Sequence, residues 1–236
     1  MQSELRFWPE LASLVADRRF RAPAREAARP AVLLIPGFLA GDSSLRVLTG
    51  WLRRRGHPVI ASGIRFNVGC AGDQLDALTR RLAALHQPAV VIGQSRGGTL
   101  ARALAARDPE RVAALVMLGS PVVDQLAVAP ATLRAVRSVA RLGDLGVPGL
   151  FSSGCLDGPC CAEFRSLLRA PLGPRVASLA VYSRSDAIVD WRACLDPDAE
   201  CVEVDSSHLG MGVNARVYEE LERLLSRVPG SLASRS

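Results

Sequence analysis

The ten residues Ala89-Val90-Val91-Ile92-Gly93-Gln94-Ser95-Arg96-Gly97-Gly98 constrain this chain more than any other stretch. An apolar, β-branched run, as in a strand buried on both faces, ends in Gly-x-Ser-x-Gly. The residues from Thr99 to Arg107 then read as a helix. A chain that passes from strand to helix through a serine turns so tightly that the serine takes a strained φ/ψ. Its neighbours two positions away can then carry almost no side chain. Gly93 and Gly97 meet that demand. The turn lifts the Ser95 hydroxyl clear of the sheet, at the N-terminus of the helix, where free backbone N–H groups point outward. Gly-x-Ser-x-Gly alone is a common pattern; between a buried strand and a helix it reads as a nucleophile elbow.

The rest of the chain alternates in the same way. Strands are expected at Ala31–Pro36, Pro58–Ser62, Ala89–Gln94, Val112–Gly119, Arg175–Ser183 and Glu200–Asp205. Helices are expected at Ser43–Arg55, Gly72–His86, Arg96–Arg107 and Val213–Arg227. Asp108-Pro109 stops the third helix, as proline should. Such alternation implies a mostly parallel sheet of about six strands with helices on both faces. Residues 5–20 read as a helix packing outside the sheet, and residues 21–30, rich in Ala, Arg and Pro, as an extended lead-in. Residues 121–174 form a long proline-rich insertion with one amphipathic helix expected at Ala131–Leu142. This connection leaves the carboxyl edge of the sheet, where ligands bind in such folds, so the insertion is expected to cap the site. With 236 residues, one domain is expected.

A serine hydroxyl needs a base at neutral pH, and the chain has three histidines. His57 and His86 fall at the amino edge of the sheet. His208 follows the last strand at the carboxyl edge and is the expected base. The imidazole needs an acid to fix its tautomer. Asp186, close to the end of the fifth strand, is the expected acid, with Asp190 in reserve as either acid or cap of the next short helix. The oxyanion of an acyl-transfer intermediate needs two N–H donors, and these are expected from the backbones of Arg96 and Phe38. The apolar residues Phe38, Leu39, Ile188 and Leu209 are expected to line the mouth, with Leu39, Ile188 and Leu209 contacting substrate.

The formal net charge is +6, carried entirely by arginine, and 5% of residues are aromatic. Scattered arginines without a basic stripe or aromatic interleaving argue against nucleic-acid binding. No stretch of about 18 consecutive apolar residues is present, so no transmembrane helix is expected. The N-terminal residues lack the features of a signal peptide, which makes the cytoplasm the expected location. The six cysteines are Cys70, Cys155, Cys160, Cys161, Cys194 and Cys201, expected to be free thiols there. Cys155, Cys160 and Cys161 cluster and can hold a disulfide or a metal, but neither Cys-x-x-Cys spacing nor a nearby His supports zinc. No metal is expected. Cys194 and Cys201 flank a turn and can pair in an oxidising compartment.

Taken together, Leu33-Leu34-Ile35-Pro36-Gly37-Phe38, Gly93-Gln94-Ser95-Arg96-Gly97-Gly98, Leu118-Gly119-Ser120-Pro121, Tyr182 to Val189 and Ser207-His208-Leu209-Gly210 resemble the bacterial esterase/lipase branch of the α/β-hydrolase superfamily, its small lipases in particular. The resemblance spans about residues 31–225. It implies the α/β-hydrolase fold, a small-molecule or lipid carboxylic ester as substrate, a Ser-His-Asp set and no cofactor. The sequence departs from the family pattern with Pro36 before the oxyanion glycine, Gln94 inside the elbow, Arg96 after the serine and a substantial insertion. Arg96 is expected either to meet an anionic group of the substrate or to pair with an Asp of the cap. An acyltransferase or thioesterase with the same residues is the alternative reading. A perhydrolase or an inactive binding module stands further off. The sequence leaves the oligomeric state open.

Overall fold

The computed structural model describes residues 2–21 and 29–228. The lead-in expected over residues 21–30 therefore lies largely outside the described residues. Six strands form one parallel sheet: β1 (Val32–Ile35), β2 (Val59–Ala61), β3 (Ala89–Gln94), β4 (Val112–Leu118), β5 (Ala177–Tyr182) and β6 (Glu200–Glu203). Their order is β2-β1-β3-β4-β5-β6. The first crossover runs outward from β1 to β2, and the next returns past β1 to β3. The direction of winding thus reverses between β1 and β3, and a ligand crevice opens outside the carboxyl ends of the strands at such a reversal.

Central strands fall where continuous apolar runs predict them. Every residue of β1 and β3 is buried, because helices cover both faces. Alternate residues serve opposite layers. Val32, Leu34, Val90 and Ile92 join a core with Leu14, Trp51 and Leu221. Leu33, Ile35, Val91 and Leu115 join another with Leu75, Leu100 and Phe164. The first layer holds α1 (Phe7–Ala16), α2 (Arg18–Arg21), α3 (Arg46–Arg54) and a C-terminal helix at Ala215–Leu225. The second holds α4 (Ala71–Ala83) and α5 (Arg96–Arg107). The small residues of α5, Gly97, Gly98, Ala101, Ala103 and Ala105, are all buried and let it lie close against the sheet.

The insertion carries more structure than its periodicity predicts. The expected helix is present as α6 (Pro130–Asp144), and two more follow, α7 (Gly154–Asp157) and α8 (Ala162–Arg169); the C-terminal helix is then α9. Sequence reading misses α8 because it begins directly after Pro159-Cys160-Cys161, in a stretch whose prolines signal a loop. Phe164 and Leu168 bury its inner face against α5 and α4. Backbone contacts tie the insertion to the loop after β5: Val128 bridges Val189, and Val123 N–H donates to Ala193 O at 3.0 Å. None of the helices is long and apolar enough to cross a membrane among the described residues.

Candidate active site

Ser95 sits between β3 and α5 with φ +52° and ψ −126°, the strained conformation that the sequence predicts. The glycines around it are needed for space. A Cβ on Gly97 would come within 2.2 Å of the Ile35 carbonyl oxygen and 2.5 Å of that of Pro36; one on Gly93 would come within 2.3 Å of the Gly97 oxygen. These contacts press the start of α5 onto the end of β1. The loop after β1 consequently runs beside the serine, and a Cβ on Gly37 would stand 3.9 Å from Ser95 Oγ. Arg96 is the first residue of α5, so its N–H has no acceptor within the helix. Among the described residues, no hydrogen bond uses the N–H of Phe38.

His208 and Asp186 meet as expected. His208 Nδ1 lies 2.6 Å from Asp186 Oδ2, and both side chains are almost fully buried. The other carboxylate oxygen accepts the N–H groups of Ile188 at 2.8 Å and Val189 at 2.9 Å. These three bonds fix the direction of the carboxylate. Asp190 takes its reserve role instead: it caps a 3-10 turn (Trp191–Cys194), accepting from Arg192 N–H. Gly119, at φ +57°, leaves room for the imidazole, since a Cβ there would lie 3.2 Å from His208 Nδ1. Gln94 donates to the His208 carbonyl at 3.3 Å. Ser95 and His208 share this edge of the sheet, but no Ser95–His208 hydrogen bond is formed. Such bonds are often long without substrate and tighten in the complex.

The N-terminal segment, expected only to pack outside the sheet, also holds the histidine loop. Glu4 accepts from the N–H groups of His208 at 3.2 Å and Leu209 at 3.0 Å. Glu10 accepts from Ser206 Oγ, Ser207 N–H at 3.0 Å, Ser207 Oγ at 3.2 Å and Asn214 Nδ2 at 3.0 Å. Arg6 forms a bidentate pair with Asp205 at 2.9 and 2.8 Å. No local pattern marks these acids, which lie nearly the full chain length away from their partners.

A cavity of about 270 Å³ opens over Ser95. Its walls include Phe38, Arg96, Ile188 and, from the insertion, Val122, Leu126, Val136, Phe151, Leu156 and Leu168. Two expected contacts are corrected here. Leu39 and Leu209 do not line the cavity and stand 52% and 50% exposed. Leu39 turns the chain at φ +60°, one residue past the wall formed by Phe38. Leu209 lies on the loop that Glu4 holds. The apolar wall comes instead from the insertion.

Arg96 lines the cavity and, among the described residues, pairs with no Asp of the insertion. Its guanidinium donates to Asn67 O at 3.1 Å, Asn67 Oδ1, Gln74 Oε1 at 3.0 Å and Gly69 O at 2.7 Å. It also lies 5.3 Å from the Phe151 ring centre. Burial pushes its pKa down to about 10, so it is still cationic at neutral pH. The cysteine cluster is larger than the sequence suggests. Cys70, at the N-cap of α4, joins Cys155, Cys160 and Cys161, and the four Sγ atoms lie within 4.8 Å of one another.

Comparison with known proteins agrees with this architecture. The family described as alpha/beta hydrolase fold matches residues 54–152, a stretch that contains the elbow. No curated protein sequence matches the chain. Among solved structures, the monoacylglycerol lipase of Paleococcus ferrophilus is similar at TM-score 0.59 and 15% identity, covering 85% of this chain and 97% of that one. The carboxylesterase CesB of Bacillus subtilis is similar at TM-score 0.56 and 14% identity, covering 98% and 100%. The lipase BlEst2 of Bacillus licheniformis is similar at TM-score 0.60 and 12% identity, covering 86% and 96%. The chain has the α/β-hydrolase fold.

Proposed function

We propose that this α/β hydrolase is a serine esterase that cleaves carboxylic esters through an acyl-enzyme. The observation that carries the reading is the buried His208–Asp186 pair at 2.6 Å, standing at the same sheet edge as a serine at φ +52°. Ser95 Oγ attacks the acyl carbon while His208 Nε2 takes its proton. Asp186 holds Nδ1–H and stabilises the imidazolium. The N–H groups of Phe38 and Arg96 receive the oxyanion. His208 then returns the proton to the leaving alcohol, and water repeats the sequence to release the acid. The reaction needs no cofactor. The insertion 121–174 serves as the cap, and its apolar residues receive the acyl chain. At about 270 Å³, the cavity is smaller than the about 300–1,000 Å³ of sites for drug-sized ligands, which favours short acyl chains.

Hydrolysis of p-nitrophenyl esters of graded length, by wild type and Ser95→Ala, tests this. The expected result is turnover that peaks at short chains and is lost in the variant. Labelling of Ser95 by a fluorophosphonate without ester turnover would move the reading to acyl transfer to another acceptor. The absence of both labelling and turnover would overturn the reading.

A further inference from the structure

Outside the proposed catalytic residues, the densest group of reactive side chains is the cluster Cys70, Cys155, Cys160 and Cys161. The Sγ atoms lie 3.4 Å apart for Cys70–Cys161, 3.6 Å for Cys155–Cys160 and 3.8 Å for Cys160–Cys161, and none of the six separations exceeds 4.8 Å. Disulfides need about 2.05 Å. Four sulfurs placed about 2.3 Å from one zinc ion at the corners of a tetrahedron stand about 3.8 Å apart. The cluster already has close to that spacing.

A polar neighbour and close chain packing surround the sulfurs. Ser152 Oγ is 3.6 Å from Cys155 Sγ. Gly72 has no side chain, and a Cβ there would press to 3.0 Å on the Cys160 carbonyl oxygen, so the insertion can close over the helix start. The charge balance points the same way. Arg96 and Arg165 are both partly buried, yet their hydrogen-bond partners are neutral oxygens: those already described for Arg96, and the carbonyls of Leu156, Asp157 and Gly158 for Arg165. Among the described residues, neither forms an ion pair with a carboxylate. The ionisable groups that act electrostatically on Arg96 are the thiols of Cys161, Cys70 and Cys155.

We propose that Cys70, Cys155, Cys160 and Cys161 bind one zinc ion as a closed tetrathiolate site that fastens the insertion to the core. Binding requires no oxidant or reductant: four thiols lose their protons, four Zn–S bonds form, and the complex carries a net charge of −2 beside Arg96. An all-sulfur tetrahedral set selects zinc over the harder cations, and a closed site is structural rather than catalytic. Three ligands come from the segment around α7 and α8, and the fourth from α4, 91 residues away from Cys161 in sequence. The ion would therefore hold α7 and α8 in place over Phe151 and Arg96, beside the nucleophile. This inference does not depend on the ester reading.

Metal analysis of the chain purified from zinc-supplemented cells is the test. About one zinc per chain is expected, and Ser95→Ala should retain it. Replacement by Co²⁺ should give the sulfur-to-metal charge-transfer band and strong visible bands of a tetrahedral thiolate site. Cys70→Ser and Cys160→Ser should each weaken zinc binding by at least ~10-fold, as even outer partners of a metal contribute about 10–100-fold. Cys201→Ser, outside the cluster, should keep it. Because the wild-type measurements stand alone, a variant that fails to fold does not decide the matter. A chain with no zinc and no cobalt band would overturn the proposal, whether its mass shows disulfides or its six thiols titrate freely. So would zinc that survives both ligand substitutions.

Discussion

At the scale of single residues, local geometry separates side chains that look interchangeable in the sequence. Asp186 and Asp190 follow the same strand, but only Asp186 reaches His208, and its second oxygen is held by two backbone N–H groups. Asp186→Asn should lower kcat by about 10³–10⁴-fold with little change in KM, because an amide at this position favours the wrong imidazole tautomer. Asp190→Asn should stay within a few-fold of wild type. Steady-state kinetics on one short ester decides, and similar losses in both variants would remove Asp186 from the proposed mechanism. Gly97 gives the corresponding prediction for stability. A methyl group there meets two backbone oxygens at 2.2 and 2.5 Å, neither of which can rotate away. Gly97→Ala should cost at least about 1–3 kcal/mol in urea unfolding, the usual range for overpacking. An unchanged unfolding midpoint would mean that the elbow is less tightly packed than described.

Among the elements, α1 has two roles. Leu14 fixes it to the core, and Glu10 collects donors from the loop on which His208 sits. Removing the carboxylate leaves the N–H of fully buried Ser207 without its acceptor and takes from the buried Ser206 hydroxyl one of its two, the other being the Ser207 carbonyl. Loss of a buried partner costs about 1–3 kcal/mol, more when a charge is involved. For a chain of this size that is roughly a 2–12 °C fall in Tm. Glu10→Ala should therefore melt earlier. If the loop also positions His208, kcat should fall more than KM changes, and Glu10→Gln should restore part of both. A lower Tm with kcat untouched would limit Glu10 to a structural role.

Over the whole molecule, what the sequence discloses depends on distance along the chain. The central strands could be read to within a few residues, since burial on both faces writes itself as consecutive apolar residues. The elbow was equally plain, its demands falling on adjacent positions. What stayed hidden is assembled from distant segments: Glu4 and Glu10 against the histidine loop, Cys70 against the insertion, and the cavity wall of Val122, Leu126 and Val136 where Leu39 and Leu209 were expected. Arg102 belongs to the same group, buried on α5 and paired with Asp196 at 2.7 Å and Asp198 at 3.0 Å. His57 shows such an assembly acting on global stability. It is 3% exposed in the turn between α3 and β2 and donates Nδ1–H to the Pro30 carbonyl at 2.9 Å. Burial lowers its pKa, against the hydrogen bond and helped by the charges of Arg29 and Arg55; Glu222 faces the same corner, paired with Arg55 at 2.9 Å. The fold thus keeps this imidazole neutral. Below about pH 6.5 the unfolded chain gains a proton here that the folded chain does not, so stability falls as pH drops from about 6.5 towards the depressed folded value. Above pH 6.5 the linkage vanishes. Comparing denaturant unfolding of wild type and His57→Gln between about pH 7.5 and 5 isolates this contribution, because the carboxylates that titrate over the same range are common to both. Wild type should lose more stability on acidification than the variant, while parallel curves would mean that the folded state accommodates the charged ring.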